Sequence, residues 1–370
     1  MSFSYSYSFA PSRLCVEATY EMDHVISEFA DRIRKAGAER TPLRIQGSGS
    51  KDFYGAALKG AVLSTTGYTG IVDYEPTELV LTARAGTLLR ELESALAERG
   101  QMFAFEPPHF GAGATLGGCI ASGFSGPRRA AAGSARDFVL GVRMLNAQGD
   151  DLQFGGRVMK NVAGFDVSRL MAGSCGTLGL MLDVSLKVLP RPASEATLRY
   201  QLSETAAIRC MNEWAGLPIP ITATCWFDGT LTIRLSGATS AVTAARAKLG
   251  GDDVADSDTF WIAVREHTLP AFQGTLWRLS VKSSAPPLGL SRRQIVEWNG
   301  GLRWLAEDID EQEVREAAKR AGGHATLFRG GDHSNGIFQL DSGVLALHRR
   351  VKAALDPQGI FGPGRLHPDF

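Results

Sequence analysis

The stretch Lys160–Leu180, KNVAGFDVSRLMAGSCGTLGL, puts Gly164, Gly173, Gly176 and Gly179 into a short helix-like segment and the turn after it. The strand that follows is clearly patterned. Leu180, Leu182, Val184, Leu186 and Val188 alternate with Asp183, Ser185 and Lys187, the period-2 signature of a half-buried strand. A turn needs one glycine or two. Four at one place imply that something comes close to the backbone there, because no Cβ blocks the approach.

Two more glycine-rich places lie upstream, QGSGS (46–50) and FGAGATLGG (110–118), to set beside AGSCGTLG (172–179). The first follows a predicted strand, PLRIQG (42–47), and the third precedes one. Main-chain N–H groups in such loops can converge on an anion, and a diphosphate is the usual occupant. Ser48, Ser50, Thr115, Ser122 and Thr177 add hydroxyls. One such loop alone reads as a plain glycine turn with no ligand; three together, with these hydroxyls, favour a ligand. A Rossmann site does not fit. The third glycine of G-x-G-x-x-G is replaced by Leu116 in one loop and by Asp52 in the other, and no receiving helix is expected next to either.

Working outward, residues 22–36 read as a helix with Val25, Ile26, Phe29 and Ile33 on one face and Gly37 as its stop. Strands follow at 70–76 and 78–86, then a helix at 87–100 with Thr87 as cap and Leu88, Leu92 and Leu96 recurring. FVLGVRMLN and DLQFGG flank a hairpin turn, AQGD. The prolines of PRPAS (190–194) mark a boundary. Beyond it come a strand (197–202), a helix (204–214), a hairpin at Asp228-Gly229 and a helix (239–249). A strand (275–281), a hairpin at Asn299-Gly300-Gly301, a charged helix (310–321) and the strand HATLFRG complete the set. A last helix (342–355) carries Val344, Leu347, Val351 and Leu355 before the tail GIFGPGRL. The pattern is α+β with an antiparallel sheet.

The chain has 370 residues, 44% hydrophobic, enough for two domains with cores. Lys+Arg and Asp+Glu are both 39, so neither a nucleic-acid footprint nor attraction to an acidic membrane is indicated. The five cysteines are scattered, with no CxxC pair, which argues against a disulfide framework and against a zinc or iron–sulfur site. Reduced thiols in a cytosolic protein are expected. The opening MSFSYSYSFAPS lacks the features of a secretory signal and reads as disordered. No apolar run approaches the ~20 residues of a transmembrane segment.

Several segments, in order, carry a family resemblance: IQGSGS, PTELVLTARAGTLLRELESALAERGQ, EPPHFGAGATLGGCIASGFSGPRR, VMKNVAGFDVSRLMAGSCGTLGLMLDVSLKVLPRP, GGHATLFRGGD and LDPQGIFGPGRL. They resemble the FAD-linked oxidases, the vanillyl-alcohol oxidase / p-cresol methylhydroxylase (PCMH-type) superfamily, and within it the FAD-binding E subunits of bacterial glycolate oxidase (glycolate dehydrogenase). The resemblance implies a PCMH-type FAD-binding domain of two α+β subdomains (1–192), a second α+β domain (193–340) and a C-terminal helix and tail (341–370) that return to the first. It implies non-covalent FAD held by Gln46, Gly47, Ser48, Gly49 and Ser50, then by Gly113, Ala114, Thr115, Gly117 and Gly118 with Ser122, and then by Gly173, Gly176, Thr177, Gly179 and Leu180. Lys160 and Asn161 would lie near the flavin, and Arg365 would face an anion or a flavin carbonyl.

Some relatives tether the flavin through a histidine of the first loop, but no histidine stands between His24 and His109. Cys119 and Cys175, in the flavin loops, are expected to be buried thiols rather than tethers. The metal and base cluster of related 2-hydroxy-acid dehydrogenases is missing. GGHATLFRGGDHSNGIF has His324, Asp332 and His333 at the wrong spacing, so no metal is expected. Arg278, Arg303 and Arg329 are candidate carboxylate holders. The resemblance thus implies a cytoplasmic FAD oxidoreductase subunit acting on the CH–OH group of a small 2-hydroxy acid, peripheral on the inner membrane face at most. Its partners would be a sister FAD subunit and an iron–sulfur subunit that delivers electrons to quinone. A self-sufficient dehydrogenase and a non-catalytic flavin-holding subunit are the alternatives.

Overall fold

The computed structural model describes residues 13–156, 166–334 and 336–370. The opening serine-aromatic dozen and the segment with Lys160, Asn161 and Gly164 lie outside the described residues.

The patterned strand Leu180–Lys187 is the centre of a five-stranded antiparallel sheet. Val80–Arg84 and then Ile71–Glu75 pair on one side of it, Val139–Leu145 and then Asp151–Gly155 on the other. Its alternation is clean only from Leu182 onward; Leu180, Met181 and Leu182 are all buried. The reason is that both faces are covered there. Leu180 and Leu182 join Ile26, Phe29 and Ile33 of the helix Arg13–Glu39, while Met181, Val184 and Leu186 join Leu89, Leu92 and Leu96 of the helix Leu89–Glu98.

Two expected helix signals act differently. The first helix runs through Gly37 to Glu39, and the chain reverses at Arg40, whose φ is +52°. Thr87 is no cap: its hydroxyl accepts from Gly70 N at 2.9 Å and so holds the turn between two strands.

The second half forms an eight-stranded antiparallel sheet in the order 252–253, 194–201, 230–237, 221–227, 294–297, 302–305, 276–280, 324–329. The helices Glu204–Ala215 and Thr239–Leu249 cover one apolar face through Ile208, Met211, Val242 and Ala245. The other side is aromatic. Trp261, Phe272, Trp304 and Phe328 meet Phe53, Tyr54, Phe110 and Phe124, which come from the glycine-rich loops of the first half.

The helix Ser342–Leu355 uses only half of its apolar row. Val351 and Leu355 pack on the first sheet's core, whereas Val344 and Leu347 are 40% and 52% exposed. The tail after it adds to the short parallel pair Leu43–Gln46 and Ala61–Ser64. Leu43 N donates to Ile360 O at 2.7 Å, and Gly362 N donates to Leu43 O at 3.0 Å.

Candidate functional site

The glycine-rich loops converge on one cleft of about 800 Å³. Gln46, Gly47, Ser48, Gly49, Ser50, Thr115, Gly117, Gly118, Ser122, Gly176, Gly179 and Arg365 line it. Gly113, Ala114, Thr177 and Leu180 do not. Gly113 packs on Ser48, Ala114 and Leu180 are sealed in the hydrophobic cores, and the buried Thr177 hydroxyl donates to Ser174 O at 2.7 Å. Gly173 lines a neighbouring cavity instead.

Many of these glycines are needed where loop meets loop. A Cβ on Gly47 would strike the Thr115 hydroxyl, and one on Gly117 would stand 2.8 Å from Ala85 Cβ. Thr115 caps the helix Leu116–Ser122, accepting from Gly118 N at 3.2 Å. This helix starts directly at the second glycine loop, where none was expected; the glycines hide it from propensity, and tight packing forms it.

Two cations serve the cleft. Arg365 is buried and donates to Asp52 O at 3.0 Å and to Ala56 O. Lys51 donates to His109 O at 3.1 Å and so joins the first loop to the second; burial lowers its pKa. Lys51 and Tyr54 are not among the residues singled out from the sequence; KDFY, directly after the first loop, is the only local signal for them. The amides of Gly47, Ser48 and Gly49 donate to no protein acceptor among the described residues. An N–H run without a partner, beside a lysine and an arginine, suits an anion.

A second cavity, of about 1000 Å³, meets the first at Tyr54 and Ser122. Its walls are the aromatic side chains between the two sheets, with Arg278, Glu297 and His267 among them. Burial pushes the Glu297 carboxyl up to about 8, although Trp304 Nε1–H, donating at 2.8 Å, and Arg278 act the other way. Burial, helped by Arg329 and Arg278, lowers His267 to about 3. Burial also raises the Tyr54 phenol.

Of the three arginines singled out, only Arg278 lines this cavity. Arg303 is fully buried elsewhere, donating to Gly300 O and Ala285 O at 2.8 Å each and pairing with Glu204. Arg329 donates to Phe272 O at 2.5 Å. Among the described residues no cluster of His, Cys, Asp and Glu could hold a metal ion. Glu297, Trp298 and Trp304 carried no sequence signal beyond an ordinary hairpin.

The cleft and its flanking sheet define a class. Residues 24–155 match the FAD binding domain family, so the first two glycine loops belong to a flavin-binding fold. Glycolate oxidase subunit GlcE of Escherichia coli K12 is 47% identical over 92% of this chain and 97% of its own length. This chain belongs to that family of glycolate oxidase E subunits. Glycolate oxidase subunit GlcD of Bacillus subtilis is 28% identical over 59% of the chain and 47% of its own length. A D-lactate dehydrogenase of Archaeoglobus fulgidus is 30% identical over 53% and 44%. Among solved structures, alkyldihydroxyacetonephosphate synthase superposes with a TM-score of 0.62 at 14% identity, covering 91% of this chain and 74% of that one, which shows the shared α+β fold. Among the described residues, no helix is long and apolar enough to cross a membrane.

Proposed function

We propose that the chain is the FAD-binding E subunit of a glycolate-oxidising complex and that FAD lies in the first cleft. The observation that carries this reading is the set of unpartnered amides at Gly47, Ser48 and Gly49, in a cradle closed by Thr115, Gly118 and Arg365. These groups fit a diphosphate: N–H donors and cations without a Cβ in the way. When bound, the flavin supplies a two-electron oxidant. The chain's own residues hold it, keep water out and orient what docks beside it.

In this reading residues 1–192 form the flavin domain, 193–340 the domain that covers it and 341–370 the return. A sister flavoprotein subunit and an iron–sulfur subunit complete the path to quinone. The complex would sit in the cytoplasm, against the inner face of the membrane at most.

The test is the visible spectrum of the purified full chain. Flavin bands that copurify, or appear on adding FAD and survive desalting, support the reading. A chain that stays colourless after incubation with FAD refutes it.

A further inference from the structure

We propose that the second cavity is a substrate site carried by this chain itself: Arg278 holds the carboxylate of a small 2-hydroxy acid, and Glu297 takes the proton of its hydroxyl. The proposal rests on the reading of the first cleft as the flavin site.

Arg278 stands on the inner strand Leu276–Ser280, with its guanidinium 5.3 Å from the Trp298 ring centre and 6.0 Å from that of Trp304. The residue is half-buried and lines the cavity, and burial lowers its pKa. Among the described residues it has no hydrogen-bond acceptor and no ion-pair partner. Arg303 shows what a structural arginine of this sheet looks like, with two carbonyls and a glutamate satisfied. An enclosed guanidinium without an acceptor is costly and calls for an anionic ligand.

Glu297 lines the same cavity but forms no ion pair with Arg278. Trp304 fixes both groups. Its Nε1–H donates to Glu297 at 2.8 Å, while its ring lies under Arg278. A cation and a carboxyl that share a cavity without meeting leave a slot between them. A 2-hydroxy carboxylate complements that slot, with a planar anion for the fork and a hydroxyl for the carboxylate.

The groups facing Glu297 are Arg278, Trp304 Nε1–H and Glu106, with Cys225 opposite it on the adjacent strand. The Cys225 thiol is pushed far up by burial and stays neutral. Glu297, near 8, changes charge in the working range, as a general base must. His267, stacked 4.3 Å from Phe272, lies too low to compete.

The step balances. The hydroxyl O–H bond breaks and its proton goes to the Glu297 carboxylate. FAD, when bound in the first cleft, would supply the two-electron oxidant that accepts the carbinol hydrogen with its bonding electron pair. The carbon–oxygen bond would then become a carbonyl, giving the 2-oxo acid.

The test uses the full chain in two arms. In the first, tryptophan fluorescence of the flavin-free chain is titrated with glycolate. A saturable change that weakens about tenfold or more in Arg278→Met is expected. Arg278→Lys, which keeps the charge, serves if the methionine variant does not fold, and should weaken binding less. In the second arm, the FAD-loaded chain is mixed with glycolate anaerobically. Glu297→Gln should bind glycolate but bleach the flavin about a hundredfold or more slowly. The wild-type rate should rise with pH through about 8, and the variant's should not. Unchanged glycolate affinity in both Arg278 variants, or wild-type bleaching in Glu297→Gln, overturns the proposal. A chain that holds FAD yet gives no response to glycolate overturns it while leaving the flavin reading intact. An Arg278-dependent fluorescence response in a chain that takes up no FAD supports the carboxylate site and overturns the flavin reading alone.

Discussion

Lys352 and Asp356, one turn apart at the end of the helix Ser342–Leu355, form a buried ion pair at 2.7 Å. The lysine also donates to Thr177 O and Phe361 O, each at 2.7 Å. The aspartate accepts from the amides of Ile360 at 3.0 Å and Phe361 at 2.8 Å. One pair therefore ties the third glycine loop to the tail that carries Arg365. Removing one partner of such a pair leaves the other buried and uncompensated, at about 3–5 kcal/mol. Lys352→Met is expected to lose stability on that scale in urea unfolding and to release FAD more readily, followed by the rise of free-flavin fluorescence. Unchanged stability and retention would remove the pair from any role in shaping the cleft.

The glycines of the third loop should rank by surroundings. Gly173 has φ +88° and open space where a Cβ would go, so Gly173→Ala pays only the left-handed strain, about 1–2 kcal/mol. A Cβ on Gly179 would strike the Met144 side chain and stand 2.7 Å from Leu145 O. Gly179→Ala should thus cost more, by roughly the 1–3 kcal/mol of overpacking, and should retain less flavin. Equal unfolding midpoints for the two variants would contradict the ranking.

What could be read from the sequence was what is local. The strand at 180–187, the hairpins and the glycine loops announce themselves in neighbouring residues. The site's second half depends on register across strands, which no local pattern reports. Arg278 lies opposite Trp304 and Arg303 lies opposite Leu279, so the two arginines point to opposite faces of one sheet. Two equivalent-looking strand arginines therefore have unrelated fates. Nothing local marks Glu297, two places before an Asn-Gly turn; only the fold encloses it. Thr87 misled for the same reason, because its hydroxyl is taken by Gly70, distant in sequence and adjacent in space.

Arg128 pins the first half of the chain to the second sheet. Its amide donates to Glu106 at 2.8 Å, and its guanidinium donates to Ser236 at 2.9 Å and to Glu195 at 2.6 Å. Arg234 pairs with Glu106 at 2.7 Å. Burial pushes the Glu195 carboxyl up, but hydrogen bonds from Ser236 and Arg128 outweigh it and hold the group below its ordinary value of 4.5. A depressed carboxyl contributes stability that is complete above its unfolded value and is lost as pH falls through the folded one. Wild-type stability should therefore drop below about pH 4.5. Arg128→Met should be less stable at pH 7 by about 3–5 kcal/mol. It should also show a shallower acid limb in urea midpoints measured from pH 7 down to 3. A parallel acid limb in the variant would assign the pH dependence to other carboxyls.

The flavin should be released intact on denaturation. Among the described residues, the thiols nearest the cleft are Cys119 and Cys175, and burial pushes them up to about 12 and about 11. The thiolate is the nucleophile, so at neutral pH almost none of either group is in the form that could bond to a flavin carbon. Among the described residues, no histidine lines the cleft to serve instead. Acid precipitation of the FAD-loaded chain should leave all of the yellow chromophore in the supernatant, with the mass of the pelleted chain unchanged. The same two thiols should react with iodoacetamide at pH 7.5 far more slowly than the half-exposed Cys210, counted by peptide mass spectrometry. A yellow pellet, with a flavin-sized mass increase on the peptide of Cys119 or Cys175, would mean that the bound cofactor activates a thiol that burial otherwise keeps protonated.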